Sequence, residues 1–503
     1  MKHKPITPLR KWLSYWLYTW VIIAASTIFV MVFVLKPVHS VHRTDQQGTS
    51  LSISLTRSPT RSTVMPTPTP ELIGSQTGDW TTYMADNGHS GFNAAETIIT
   101  PATAPQLKLK WTHQAGDAVV AQPVIANGLI YWGSWDGYEY ATTLDNKTVW
   151  ATYLGMEIAN PICIPPRLGV SSTATIASVD IDGTNTLVDF LGGADGYFYA
   201  LNALTGAIIW KTLLGPPPGY YNWSSPAFYH GSIYVGAGSL GDCPLVQGKV
   251  YQLDAATGNV QHVFKGAADG CIGGGTWTSP TIDEAAGTIY DATGTKDGCY
   301  IYEKYAMSLV ELRASDLSVI QYWQVPKRER VKDGDFGATP TLFTTSTGVP
   351  MVGMDNKNGI YYAFKRGDLS HPVWQTRLAT SMGTISSSAW DGHRLYVGAR
   401  RFKTNGVNCT ESVVALDPDT GNIIWRHCFQ RRALIGAIVA VPGLVVLGQA
   451  GYVFVLDANS GQTLFAYGHD TGDNYSLFRG WASISHGVLY IGGTDGKLYA
   501  FAP

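Results

Sequence analysis

The sequence predicts an all-β fold, an eight-bladed β-propeller that is closed by an N-terminal strand and preceded by a transmembrane helix. Three observations support this prediction. Of the 503 residues, 55 are Gly, 26 are Pro and only 14% are charged, which is typical of a chain of short strands and turns. A strand–turn–strand unit recurs at intervals of roughly 40 to 60 residues, as in propeller blades. Residues 12–35 contain no charged side chain.

The repeat joins two alternating strands through an Asp-x-x-Thr-Gly turn and commonly ends in Trp. Its clearest copies are 195–210, 248–258 and 412–425, and related copies are 136–150, 358–374 and 451–465. Short strands separated by Gly, Asn and Asp turns form four-stranded antiparallel sheets, and radial stacking of those sheets protects their edges. We expect each terminal Trp to pack between neighbouring blades.

The last repeat, near 478–503, has only about three strands before the sequence ends. Residues 107–111 (LKLKW) match the terminal strand of the other units, and we expect them to pair with 498–501. Such pairing would close the ring as an eighth blade and remove both free sheet edges. Seven blades is the alternative, because the unit around 309–313 matches the repeat poorly.

The N-terminal region predicts a single-pass membrane anchor. Residues 12–35 are long enough to span a bilayer as a helix, and residues 1–11 carry Lys2, Lys4, Arg10 and Lys11. The positive-inside rule places residues 1–11 in the cytoplasm, so the rest of the chain would lie outside it, at the cell membrane. A cleaved signal peptide is the alternative, although 36–39 (KPVH) is not a small-residue cleavage site.

Residues 36–77 are rich in Ser, Thr and Pro and include the run PTPTP at 66–70. This composition favours extended polyproline II, so we predict a stalk between the anchor and a propeller of residues 78–503. A Pro-rich partner-binding motif is the alternative interpretation.

Composition and motifs exclude several function classes. A hydrophobic content of 45% argues against disorder, and a net charge of −2 without a basic face argues against nucleic-acid binding. The sequence has no metalloprotease helix motif, nucleophile elbow or phosphate-binding loop, so hydrolase and nucleotide-binding functions lack support. It also has no Cys-x-x-Cys-His site for covalent haem.

The six cysteines predict structural disulfides in the exported part of the chain. They are dispersed, and their spacing does not fit a zinc site. From closeness in sequence we predict Cys243–Cys271 and Cys409–Cys428, which leaves Cys163–Cys299.

The pattern Ala-Leu-Asp-x-x-Thr-Gly-x-x-x-Trp, as at 415–425, resembles the repeat of pyrroloquinoline quinone (PQQ) propellers. The resemblance extends over nearly all of 80–503. The opening, from 79–86 through 96–100 to 109–111, is similar to quinoprotein alcohol dehydrogenases of the polyvinyl-alcohol dehydrogenase type. The resemblance implies PQQ lying flat on a Trp in the central funnel, with Ca²⁺ polarising its reactive carbonyl and an Asp as base.

Three segments resemble the site segments of that family. GGGTWTSP at 273–280 implies that Trp277 is the stacking platform, and DGDFGATP at 333–340 implies that Asp333 or Asp335 is the base. DNKNGIYYA at 355–363 implies that Lys357 contacts the quinone oxygens or carboxylates. The alternative for Trp277 is an ordinary repeat aromatic, and for either Asp an exposed turn carboxylate.

The chain departs from the family at the metal positions. Thr295 stands where the family has an Asn ligand, and Asp242 is the one acid in 236–242, where a Glu ligand is expected. Asp242 and Thr295 are therefore the predicted metal ligands, and Ca²⁺, which takes several hard oxygens, is in question. No adjacent Cys pair is present to form the vicinal disulfide of many relatives.

Two functions remain open from the sequence. One is a membrane-anchored quinoprotein dehydrogenase that oxidises a small alcohol or polyol with PQQ. The other is a non-catalytic propeller of the same repeat that serves as a protein-interaction or assembly scaffold, as in the related outer-membrane assembly lipoproteins.

Overall fold

A computed structural model of the protein describes residues 76–158, 165, 167–296, 299, 303–380, 385–404, 406–431, 436–469 and 477–503. The predicted anchor, 12–35, and the predicted stalk up to residue 75 lie outside the described residues. Within the described part of the chain, no helix is long and apolar enough to cross a membrane.

The described residues form strands β1 to β35 and two short 3₁₀ helices, Ala104–Gln106 and Lys327–Glu329. The first strands are β1 (Lys108–Gln114), β2 (Val124–Ala126), β3 (Leu129–Gly133), β4 (Tyr138–Thr143), β5 (Thr148–Tyr153), β6 (Glu157–Ile158), β7 (Arg167–Leu168), β8 (Thr175–Ile181), β9 (Thr184–Gly192), β10 (Tyr197–Asn202), β11 (Ile208–Leu213), β12 (Tyr220–Tyr221), β13 (Ala227–Tyr229), β14 (Ser232–Ser239), β15 (Lys249–Asp254) and β16 (Val260–Lys265).

The second half of the ring continues with the same short strands. These are β17 (Thr281–Asp283), β18 (Thr288–Ala292), β19 (Ser308–Arg313), β20 (Val319–Gln324), β21 (Thr341–Thr344), β22 (Pro350–Asn356), β23 (Ile360–Lys365), β24 (Trp374–Arg377), β25 (Ala389–Trp390), β26 (Leu395–Thr404), β27 (Val407–Leu416), β28 (Ile423–Phe429), β29 (Val439–Val441), β30 (Leu444–Gln449), β31 (Tyr452–Asp457), β32 (Thr463–Gly468), β33 (Ala482–Ser485), β34 (Val488–Gly492) and β35 (Lys497–Ala502).

Consecutive strands pair antiparallel into eight blades, so the predicted eight-bladed propeller is confirmed. Blades 1 to 7 are β2–β5, β8–β11, β13–β16, β17–β20, β21–β24, β25–β28 and β29–β32, and blade 8 is β33–β35 with β1. The added strand β12 pairs with β14, and β6 pairs with β7.

The seven-blade alternative is wrong, because 309–313 lies in β19 of a complete four-stranded blade. The repeat is hard to recognise there because Leu317 takes the place of the turn Gly. Leu317 adopts a φ of 54° and donates its N–H to the carbonyl of Arg313 at 2.9 Å. Gly258 does the same toward Asp254 in blade 3 at 2.8 Å, with a φ of 74°. The turn geometry is therefore kept although its usual residue is not.

Ring closure follows the predicted pairing of the two ends of the propeller. Strand β1 pairs antiparallel with β35, from Lys108 opposite Ala502 to Gln114 opposite Lys497. The Trp111 indole donates to the carbonyl of Leu144 in blade 1 at 3.3 Å. The N-terminal strand thus joins blade 8 to blade 1 and leaves no free edge at the seam.

The terminal Trp residues of the repeat pack between blades, as predicted. The Trp150 indole of blade 1 donates to the Ala203 carbonyl of blade 2 at 2.9 Å. A Cβ on Gly206 would lie 2.7 Å from the Trp150 ring, and Gly206 has a φ of +70°. Contact with the indole and the left-handed backbone both require Gly here. The same arrangement holds for Trp210 on Gly258, Trp374 on Gly421 and Trp425 on Gly461.

The disulfides confirm one predicted pair and correct two. Cys409–Cys428 is present, whereas Cys271 is bonded to Cys299, so the predicted Cys243–Cys271 and Cys163–Cys299 pairs are wrong. Cys243 is also disulfide-bonded, and Cys163 lies outside the described residues. The loops at 273–275 and 294–296 pair through backbone hydrogen bonds, which brings Cys271 to Cys299. Closeness in space therefore decided this pair, not closeness in sequence.

Candidate active site

A belt of hydrogen bonds surrounds the propeller axis and connects six blades. In each link, a backbone N–H two residues before the first strand of a blade donates to the hydroxyl at the same position of the next blade. The lengths are 2.9 to 3.2 Å. The belt runs through Gln122, Thr173, Ser225, Ser279, Thr339 and Ser387. Because these hydroxyls are buried and bonded, the segments that lead into the first strands are held rigidly.

These segments surround a central cavity of about 440 Å³, within the usual size range of small-molecule sites. Four half-buried Trp side chains, one Tyr and a small number of charged groups line it. All six site residues that the sequence predicted lie on its wall, namely Trp277, Lys357, Asp333, Asp335, Asp242 and Thr295. Their roles remain predictions, but their convergence from blades 3, 4 and 5 is a property of the fold.

Trp277 lies in the loop between β16 and β17, and both flanking residues are anchored. The Thr278 hydroxyl donates to the Ala292 carbonyl at 2.9 Å, and the Thr276 hydroxyl bonds the carbonyl of Lys249. A Cβ on Gly337 would lie 2.4 Å from Cη2 of the indole. The absence of a side chain at Gly337 therefore allows the indole to lie where it does. Trp223 and Trp481 line the same cavity as Trp277.

Lys357 brings together the two predicted acids and the predicted platform. Its Nζ lies 2.7 Å from Oδ1 of Asp335 and 3.0 Å from Oδ1 of Asp333. The same atom lies over the Trp277 ring, 5.1 Å from its centroid, which is cation–π range. The Lys357 N–H also donates to the Asp335 carbonyl at 3.2 Å. The turn after β22 and the loop before β21 are thus joined through both backbone and side chains.

The two acids differ in burial, which the sequence did not reveal. The Asp335 side chain is 5% exposed and that of Asp333 is 47% exposed. Burial raises the pKa of Asp335; Lys357 opposes this rise, and the charges of Asp333 and Asp242 add to it. Burial lowers the pKa of Lys357, but the carboxylates of Asp335 and Asp333 outweigh it, so the net pKa is raised. Lys357 therefore stays protonated between the two carboxyl groups.

The donors at the predicted metal positions do not fit a Ca²⁺ site. The Thr295 hydroxyl is buried without a hydrogen-bond partner, and Asp242 is the acid that blade 3 contributes to the described part of the wall. In the described part of the chain, the one trio of His, Cys, Asp or Glu ligand atoms within 4.8 Å of each other is Cys271, Cys299 and Glu303. Both of those cysteines are in a disulfide. The funnel carboxylates thus do not converge as a hard cation requires, and Lys357 supplies the positive charge between two of them.

The cavity does fit a flat aromatic cofactor. Trp277 presents a half-buried indole held at its edge by Gly337, and the other wall Trp residues offer further apolar surface. The Thr295 hydroxyl and Nε of Arg479 are buried polar atoms on the wall with no hydrogen-bond partner. A mostly apolar cavity with a small number of convergent polar groups is typical of a cofactor site.

Several lining residues were not identified from the sequence. Arg479, Tyr83 and Trp135 all contribute to the cavity wall. The Tyr83 ring packs on Trp481 with centroids 4.8 Å apart, and its hydroxyl bonds Ser387 at 2.9 Å. A signal was available for the wall as a whole, because Ser-Pro or Thr-Pro precedes the first strands of blades 3, 4 and 5. No comparable signal distinguished Arg479 from surface arginines.

Comparison with known proteins agrees with this repeat. Residues 362–503 match the PQQ-repeat family described as outer membrane protein assembly factor BamB. The chain is 24% identical to a polyvinylalcohol dehydrogenase of Sphingopyxis sp., over 84% of this chain and 71% of that protein. It is 23% identical to a polyvinylalcohol dehydrogenase of Pseudomonas sp., over 73% of this chain and 64% of that protein. The resemblance to the PQQ-repeat propellers is confirmed.

The propeller also superimposes on a solved europium-containing methanol dehydrogenase. The TM-score is 0.67, the identity is 14%, and the match covers 85% of this chain and 98% of the other. At that identity the similarity concerns the fold and does not extend to the reaction. The chain spans just under two thirds of the length of the Pseudomonas relative.

Proposed function

We propose that the protein is a quinoprotein dehydrogenase that oxidises an alcohol or polyol in the funnel, with PQQ as cofactor. The observation that carries the proposal is the position of the Lys357 ammonium, which contacts two carboxylates and lies over the Trp277 indole. The similarity to polyvinylalcohol dehydrogenases along most of the chain supports the same reaction class.

In this proposal Trp277 holds the flat face of the cofactor by stacking, and Gly337 leaves room for the indole to do so. When bound, PQQ supplies the acceptor for the hydride of the alcohol carbon. The Asp335 carboxylate accepts the proton of the substrate hydroxyl. Its raised pKa makes it a stronger base than an ordinary Asp, and its burial keeps bulk water from competing for that proton.

Lys357 holds Asp335 in its ionised form and orients it, since the ion pair is short and only 15% of the Lys357 side chain is exposed. Asp333 is the more exposed partner and stabilises the Lys357 charge from the solvent side. This division of roles assigns the base to Asp335, where the sequence left either Asp open. Because the funnel donors do not fit Ca²⁺, no step is assigned to a metal ion.

The test is a titration of the full-length chain, purified in detergent, with PQQ, followed by dye reduction in the presence of primary alcohols and polyols. We expect saturable quenching of Trp fluorescence and dye reduction that requires PQQ. Trp277→Ala should abolish both, and Asp335→Asn should retain PQQ binding but lose dye reduction. The matched control is Trp390→Ala, because Trp390 is half-buried but is not among the cavity-lining residues, and this variant should bind PQQ. Equal dye reduction in Asp335→Asn and wild type would overturn the assignment of the base.

A non-catalytic scaffold is the second candidate, favoured by the match of residues 362–503 to the BamB description and by the unsuitable metal donors. The same titration separates the two. If wild type fails to bind PQQ with or without added Ca²⁺, the scaffold is preferred, and crosslinking to envelope proteins becomes the next measurement.

For the location, we propose that residues 12–35 anchor the chain in the cell membrane, with the propeller outside the cytoplasm. The support is the uncharged 12–35 segment with basic residues before it, and the disulfides of the propeller, which include Cys271–Cys299 and Cys409–Cys428. Protease added to intact spheroplasts should digest the propeller. Full protection under these conditions would overturn the proposed orientation.

A further inference from the structure

Arg479 is the cavity-lining cation that no group of the described protein neutralises. Among the residues that the structure describes, two cations line the cavity, Lys357 and Arg479. Lys357 is engaged by Asp333 and Asp335. The Arg479 guanidinium makes no hydrogen bond or ion pair with any residue that the structure describes, and its Nε is buried without a partner. A partly buried guanidinium with a desolvated, unbonded nitrogen is costly unless something from outside completes it.

The backbone holds Arg479 in a fixed place. On one side, the fully buried Phe478 donates its N–H to the Ala450 carbonyl at 3.1 Å. On the other side, Gly480 packs so closely on blade 8 that a Cβ would lie 2.6 Å from the Gly492 carbonyl oxygen. The next residue, Trp481, packs against Tyr83. Arg479 is therefore presented to the cavity from a rigid segment, as expected for a preorganised binding group.

We propose that Arg479 binds a carboxylate group of a ligand inside the funnel. A guanidinium is planar and offers paired N–H donors that match the two oxygens of a carboxylate. The acids that line the described part of the funnel are Asp242, Asp333 and Asp335. Their negative charges would repel the carboxylate of a ligand, which would therefore bind at Arg479. Lys357, which was predicted to contact the quinone oxygens or carboxylates, already has two carboxylate partners.

The carboxylate has two sources, and this part rests on the proposed function. It belongs either to PQQ, which carries carboxylates, or to a hydroxy acid oxidised in the same cavity. In the second case the hydroxyl would face Asp335 and the carboxylate Arg479. Both sources share the same recognition chemistry, and separate binding measurements distinguish them.

The experiment is calorimetric titration of the full-length chain in detergent with three probes: PQQ, the uncharged trimethyl ester of PQQ, and glycolate. The variant is Arg479→Gln. A second variant, Arg479→Lys, keeps the positive charge but lacks the paired N–H donors of the guanidinium. The matched control is Arg401→Gln, because Arg401 is exposed and is not among the lining residues. Thermal unfolding of each variant serves as the check on folding.

We expect Arg479→Gln to lose roughly 10- to 100-fold in affinity for one carboxylate probe, because charged hydrogen bonds disappear. Arg479→Lys should lose less, and Arg401→Gln should match wild type. If the loss is in PQQ while the trimethyl ester binds both proteins equally, the carboxylate is that of the cofactor. If PQQ binding is unchanged and glycolate binding falls, it is that of the substrate. Unchanged binding of both acids in a folded Arg479→Gln variant would overturn the proposal.

The same data separate this inference from the proposed function. A wild-type protein that binds glycolate through Arg479 but never binds PQQ would contradict the quinoprotein proposal and support the carboxylate site. A protein that binds PQQ equally well with and without Arg479, and shows no Arg479-dependent glycolate binding, would contradict the carboxylate site and support the quinoprotein proposal.

Discussion

The Nζ atom of Lys357 lies over the ring of Trp277, 5.1 Å from its centroid, while it contacts Asp335 at 2.7 Å. A single cation thus connects the predicted platform and the proposed base. Replacing Lys357 affects Asp335 and Trp277 through different forces. Loss of the ion pair changes the pKa of Asp335, and loss of the cation–π contact removes the positive charge above the indole.

Lys357→Met should move the pH dependence of dye reduction to higher pH. Without Lys357, the raised pKa of Asp335 rises further, so the carboxylate form needed to accept a proton appears only at higher pH. The exposed Lys365, at the end of β23, gives the control Lys365→Met, which should leave the pH profile unchanged. An unshifted profile in Lys357→Met would remove the assigned role of the ion pair.

The same substitution should destabilise the fold by about 3–5 kcal/mol near neutral pH, because it leaves a buried carboxylate uncompensated. Asp335→Asn should recover much of that loss when combined with Lys357→Met. The measurement is a double-mutant cycle by urea unfolding, and additive effects would indicate that the two side chains do not interact.

Gly337→Ala should weaken PQQ binding through the position of Trp277. The new Cβ would lie 2.4 Å from the indole and 2.5 Å from Cγ2 of Ile385, so the ring must turn. Gly238→Ala is the matched control, since its Cβ would meet Cβ of Trp277 at 3.6 Å, an ordinary contact. Titration with PQQ compares the two, and equal affinities would show that the ring tolerates displacement.

Two buried acids should make stability depend on pH. Glu139 of blade 1 and Asp189 of blade 2 are fully buried, and neither carboxyl group has a hydrogen-bond partner. Burial raises both pKa values well above the ordinary ones, and the charge of Asp189 further raises that of Glu139. The folded state therefore binds more protons, and its stability falls as pH rises above the ordinary pKa values of about 4.

Asp189→Asn and Glu139→Gln should consequently stabilise the protein more at pH 8 than at pH 5, by at least about 1 kcal/mol. Asp182→Asn, in an exposed turn beside β9, should show no such difference. Urea unfolding at the two pH values measures the effect. A stability gain that is the same at both would mean that the acids are ionised in the folded state.

The disulfide in blade 6 should stabilise the propeller by about 3 kcal/mol, as expected from its loop length. Cys409 and Cys428 are 19 residues apart in sequence and connect β27 to β28. The double variant Cys409→Ser/Cys428→Ser should unfold at correspondingly lower urea concentration. The control is the same pair of proteins under reducing conditions, where the difference between them should disappear.

Much of the fold followed from the sequence because its rules are local. The Asp-x-x-Thr-Gly turn, the alternating strands and the terminal Trp are each encoded within about 15 residues of chain, and a repeat displays the same local solution several times. Blade 4 shows the limit of recognition from local sequence. Leu317 adopts the turn conformation that Gly258 adopts in blade 3, so the unit does not match the repeat pattern although its turn is the same.

By itself, the sequence determined the period of the repeat, the strand that closes the ring and six residues that line the central cavity. Only the tertiary structure decided that Asp335 is buried while Asp333 is not, that Cys271 bonds Cys299, and that Arg479 faces the funnel unpaired. The physical reason is that burial and pairing depend on distances between loops of different blades. Those distances are set by closure of the whole ring rather than by the residues next to each group in the chain.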